Sequence, residues 1–162
     1  MEENGKLPEI QKIAIKHGIL MMLALVGYFF LMKAFGLEHH LELRALNLII
    51  LFSFVYTALT TYKKRNNNQL PYLVGIQLGI LTSVIGAVSF AMLVFIYVTV
   101  LVPDFMIEIK EQEPFGEFLN PFIVALTIVM EGSFSGFLAS YASLQYLRPS
   151  RMNKRVKVNE EE

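Results

Sequence analysis

The chain has 162 residues, 54% of them hydrophobic and 17% charged, with acidic and basic side chains in equal number and no cysteine. Its charges crowd into short segments between long apolar runs, which excludes an ordinary soluble domain with charges spread over its surface. The missing cysteine excludes disulfides and thiolate metal sites.

Four runs are apolar enough to cross about 30 Å of hydrocarbon, a task for about 20 residues each: Gly18 to Phe35, Ala45 to Tyr62, Leu70 to Val102 and Phe118 to Leu147. They predict an all-α, polytopic membrane protein, with residues 1–162 forming a single domain of four transmembrane helices. Ahead of the first run, Leu7-Pro8-Glu9 reads as a Pro-led helix start. Ile10, Ile13, Ala14 and His17 then share one face of a short amphipathic lead expected to lie in the membrane interface. No small-residue cleavage site follows the first run, so it reads as a retained helix and not a signal peptide. Lys33 and Arg44, near helix ends, read as side chains that snorkel to the headgroups.

Asn66-Asn67-Asn68-Gln69-Leu70-Pro71 forms a polar turn ending in a second Pro-led helix start. At about 1.5 Å per residue the third run would reach about 50 Å, so it must tilt or protrude. Pro103-Asp104 marks its end, and Phe105 to Phe118 reads as an acidic outer segment that caps the bundle mouth. After the fourth run comes a tail over 148–162, first basic and then acidic.

Lys6, Lys12 and Lys16, then Lys63, Lys64 and Arg65, then Arg148, Arg151, Lys154, Arg155 and Lys157 fall on one side of such a bundle. The opposite loops carry Glu38, Glu42, Asp104, Glu108, Glu111, Glu113 and Glu117 against Lys33, Arg44 and Lys110. Positive loops stay in the cytoplasm, so both termini are expected there. The basic side is suited to contact with anionic lipid, and the tail beyond Leu147 reads as a lipid-contacting segment and not as a nucleic-acid site.

Gly75, Gly79, Ser83 and Gly86 form one stripe on the third helix, and Gly132, Gly136, Ser140 and Ser143 form another on the fourth. Small residues at this spacing let helix backbones approach closely in lipid. The two stripes are expected to pack on each other, the alternative being that each serves another neighbour, including a second copy of the chain.

Beside the second stripe runs a polar line of Thr127, Glu131, Ser135 and Gln145. Glu131 is the only charge between Phe118 and Leu147. A carboxylate in a dry site is costly, so the group takes up a proton and donates a hydrogen bond, to Tyr28, Ser53, Tyr56 or Ser89 at similar depth. It then either ties the helices together, serves a proton, cation or polar ligand, or contacts another subunit.

His17 and the His39-His40 pair lie at opposite ends of the first helix, which excludes a haem held between them. Glu38, His39, His40 and Glu42 read as a solvated loop. No phosphate loop, zinc-spaced histidine pair or serine nucleophile motif is present. Neither enzyme chemistry nor a cofactor is expected.

The run from Gly75 through Gly79 to Ser83, the exit at Val102-Pro103-Asp104-Phe105, Met130-Glu131-Gly132 through Gly136 and Ser140, and Ala14 to Gly18 resemble a family of small four-helix bacterial membrane proteins of unknown function. The outer segment is shorter and more irregular than the long acidic helix of that family. The resemblance implies the four-helix fold and the bacterial inner membrane, and carries no activity. A non-enzymatic accessory subunit, or a bundle that associates with itself or other membrane subunits, is the expected function. The alternative is a small proton- or cation-coupled carrier or channel built on Glu131.

Overall fold

A computed structural model describes residues 3–35, 41–112 and 115–147. The described residues contain five α-helices and no strands: α1 (Glu3–Ala34), α2 (Leu41–Arg65), α3 (Tyr72–Ile96), α4 (Phe105–Gln112) and α5 (Pro121–Leu147). All but α4 are long and apolar enough to cross a membrane. The loop at Glu38-His39-His40 and the tail from Arg148 lie outside the described residues.

Local chemistry sets the helix ends. Asn67 and Asn68 take left-handed φ values of 47° and 62°, which asparagine tolerates better than most residues. The Asn68 amide then reaches back 2.9 Å to the Lys63 carbonyl and closes the end of α2. Pro71 stands just before α3 and accepts the Gly75 amide at 3.0 Å. At the start of the fourth run a 3-10 turn over Gly116–Phe118 precedes the α-helix, which starts at Pro121 with Asn120 as its cap: the Asn120 Oδ1 accepts the Ile123 amide at 2.9 Å. Asn120→Ala should cost about 1 kcal/mol, read as a lower thermal midpoint in detergent with unchanged helicity. An unchanged midpoint would assign no weight to this cap.

The overlong third run is accommodated by a change of helix type. After Ile96 it widens into a π-turn over Tyr97–Leu101, closed by the Val102 amide on the Tyr97 carbonyl at 2.9 Å. The chain then folds back as α4. Phe105 and Met106 are buried, so α4 packs an apolar edge onto the bundle, while Glu108 and Glu111 keep exposed side chains.

The lead is not a separate interfacial segment. α1 is continuous from Glu3, and Ile10, Ile13 and Ala14 enter the same buried cluster as Leu59, Tyr62, Leu144 and Leu147. Their shared face is covered by protein because α2 and α5 extend to the same level. Lys63 Nζ donates to the Leu147 carbonyl at 2.9 Å, which joins the ends of α2 and α5 there. Both ends of the described chain therefore lie at this basic end of the bundle, and α4 lies at the other, acidic end.

Lys33 does not snorkel away from the bundle. Its ammonium contacts the Tyr97 hydroxyl and lies 5.0 Å and 4.8 Å from the ring centres of Tyr97 and Phe105. Phe29 meets the same two rings edge-on. This cation–π box joins α1, the π-turn and α4.

Candidate functional site: a cavity around Glu131

α3 is the central helix, packed most extensively on α5 and next on α1. Its contact with α5 is a seam of small residues running the two helices in opposite directions. A Cβ built on Gly79 would collide with the Ser140 hydroxyl, and one built on Gly136 with Ser83. On Gly132 it would stand 2.6 Å from the Ala87 Cβ, and on Gly75 it would run into Leu144. Ser83 and Ser140 are buried and return their hydroxyls to their own helix, Ser83 to Ile80 at 2.9 Å and Ser140 to Gly136 at 2.6 Å. Ser143 is buried in the same seam, with no hydrogen-bond partner for its hydroxyl among the described residues.

Gly86 departs from the expected stripe. It turns toward α1, where an added Cβ would collide with Met21 and stand 3.1 Å from the Gly18 carbonyl. Gly18 in turn sits 3.0 Å from the Thr82 carbonyl by the same measure. α3 therefore has two close-contact faces: the seam with α5 follows the four-residue row Gly75, Gly79, Ser83 and Ala87, which winds around the helix, so at the level of Gly86 the contact with α5 has passed to Ala87 and Gly86 is left on the α1 side.

The burial of α2 and α5 is confined to the basic half. On α5 the buried residues run from Gly136 to Leu147, and on α2 from Leu51 to Tyr62. In the acidic half, Phe29, Val94, Val98, Phe105, Val124 and Ile128 hold α1, α3, α4 and α5 together without α2. A cavity of about 480 Å³ opens between these elements and the outer half of α2.

Most of its wall is apolar, with Met21, Leu25 and Phe29 from α1, Leu48 and Leu51 from α2, Phe90 and Val94 from α3, and Phe105 and Ile109 from α4. The polar groups are few and convergent: Glu131, Thr127 and Ser135 from α5, Asn47 from α2, and Glu108 from α4. Glu131 stands about 15 Å along α5 from Pro121, near the middle of the helix. Asn47 Oδ1 is buried and finds no hydrogen-bond partner among the described residues. An acceptor left in that state costs about 1–3 kcal/mol, so it is a position where a donor from water or a ligand is favoured.

Of the residues proposed from sequence to meet Glu131, none lines this cavity. Tyr56 packs against Tyr146, ring centres 6.3 Å apart, in the basic half. Ser53 donates to the Ile49 carbonyl at 2.8 Å, Ser89 is half-buried on α3, and Tyr28 is half-buried on α1 with an interaction of its own. Asn47 shares the cavity with Glu131 instead. It is the only amide in the second apolar run, a signal that a search by type of polar group would have found.

Four long apolar helices around an acid-bearing cavity define a polytopic helical membrane protein. The chain belongs to the family described as protein of unknown function (DUF4199), whose model matches residues 16–141. The match takes in Gly18, the α3–α5 seam as far as Ser140, and every residue of the cavity. No curated protein and no solved structure matches the chain.

Proposed function

We propose that this is a non-enzymatic membrane protein whose cavity receives a proton, a cation or a hydrogen-bond-donating group at Glu131, as a small carrier or binding protein. The observation that carries this reading is the convergence of Glu131, Thr127, Ser135 and Asn47 from two helices on one cavity with an otherwise apolar wall. All four offer oxygen acceptors, and Glu108 at the acidic end adds a second carboxylate on the path to water. By the positive-inside rule the basic end faces the cytoplasm, with both termini there, in the bacterial inner membrane.

Proteoliposomes with an internal pH dye and imposed gradients of proton, sodium or potassium provide the test. The wild-type chain should dissipate at least one gradient faster than empty vesicles, and Glu131→Gln should return the rate to that of empty vesicles. Equal rates for wild type and variant would remove the reading. Reporter fusions at Lys64 and at Glu108 test the orientation, with the first expected inside and the second outside.

A second reading follows from α5, which is the least covered of the four spanning helices and exposes Met130, Glu131 and Phe134 side by side. An acidic side chain facing the bilayer centre costs about 2.5–3.5 kcal/mol on insertion scales. A second copy, or another membrane subunit, would cover it. That reading predicts a defined oligomer or a larger complex after mild detergent extraction. A monodisperse monomer would count against it.

A further inference from the structure

We propose that a groove between the basic ends of α1 and α2 binds the phosphate of an anionic lipid headgroup. The groove, about 240 Å³, lies at the far end of the bundle from α4 and is independent of the Glu131 cavity. Lys12 and Lys16, one helical turn apart on α1, face Arg65 at the end of α2, and His17 and Thr61 form the floor. Among the described residues no acidic side chain lines it.

Hydrogen bonding fixes the floor of the groove in place. His17 is 9% exposed, and its Nδ1 lies 2.9 Å from the Ile13 carbonyl, an atom that can only accept, so Nδ1 carries a proton. Its Nε2 lies 3.4 Å from the Thr61 hydroxyl, which gives its own proton to the Thr57 carbonyl at the shorter distance of 2.7 Å. The imidazole is thus held in place, and the groove above it is lined by three cations and no carboxylate among the described residues, the nearest acid on α1 being Glu9, one turn before Lys12. A phosphate, with several oxygens and one or two negative charges, supplies what the groove lacks.

Depth selects the lipid as the source. Arg65 is the last residue of α2, and Lys12 lies in the first turn of the α1 span that begins at Glu9. Both therefore stand at the boundary where headgroup phosphates lie, and cations there gain about 1 kcal/mol each from an anionic leaflet, which is about fivefold in retention.

The full chain, extracted in mild detergent, would be mixed with phosphatidylglycerol, with phosphatidylcholine, or with inorganic phosphate, and read by native mass spectrometry and thermal midpoint. Phosphatidylglycerol should be retained and raise the midpoint, more than phosphatidylcholine does. The variant carrying Lys12→Gln, Lys16→Gln and Arg65→Gln should lose about two orders of magnitude in retention, while Lys64→Gln, which removes one charge outside the groove, should lose less than Lys16→Gln, which removes one charge inside it. Circular dichroism verifies that the triple variant folds; if it does not, Lys16→Gln alone, with an expected loss of about fivefold, tests the same groove. Stabilisation by inorganic phosphate that the triple variant abolishes, without any preference between the two lipids, would uphold the phosphate site and overturn its lipid source. Equal retention of both lipids with no effect of phosphate, or equal retention by wild type and variants, would overturn the proposal altogether.

Discussion

Gly79→Ala should lower the stability of the bundle by about 1–3 kcal/mol, a large effect for one methyl group on a helix where alanine is intrinsically the better residue. The methyl would occupy the space of the Ser140 hydroxyl, stand 2.7 Å from the Ser140 Cβ and press on Val55 at 3.3 Å. Neither helix can yield cheaply, since Gly136 against Ser83 holds the seam one turn further along. Ser140→Gly removes the colliding atoms, so the double variant should recover most of what Gly79→Ala loses. Thermal or denaturant unfolding of the four proteins in one detergent closes the cycle, with an expected coupling of about 0.5–3 kcal/mol. Additive effects would mean that the two residues do not meet.

A membrane-permeant carbodiimide should modify Glu131 in intact membranes, and the modified mass should map to α5. The carboxyl group lies on a cavity that opens between α2 and α5 with mostly apolar walls, where an apolar reagent partitions and competing water is scarce. Glu131→Gln should abolish the adduct on α5. Ser135→Leu, one helical turn away on the same wall, should slow its formation by filling the space in front of the acid. An untouched Glu131 alongside modified Glu108 would mean that the inner part of the cavity is closed. The result also bears on the choice between ligand and partner helix, because a second chain seated on α5 would shield the acid until detergent separates the copies.

The spans are legible because lipid imposes a strong, local condition on sequence: about 20 residues without charge, ended by Lys, Asn-Pro-rich turns or Pro-Asp. The family resemblance rests on the same helices, and the family match covers them. What is shared around a helix is legible too, as with the face of Ile10, Ile13, Ala14 and His17. Its partner is not, because an apolar face reads the same whether lipid or protein covers it, and here α2 and α5 do. The π-turn at Tyr97–Leu101 and the aromatic box around Lys33 leave no periodic signal at all.

By itself the sequence determined the four-helix class, the separation of basic from acidic ends, and the isolation of Glu131 in an apolar run, since each follows from the cost of placing charge in hydrocarbon. The tertiary structure alone decided that Gly79 faces Ser140 while Gly86 faces Met21, and that Asn47 shares the cavity of Glu131 while Tyr28, Tyr56 and Ser89 do not. Those outcomes depend on how four helices are rotated and splayed against one another. Such angles are set by side-chain contacts between distant parts of the chain, and no local rule of composition or spacing encodes them.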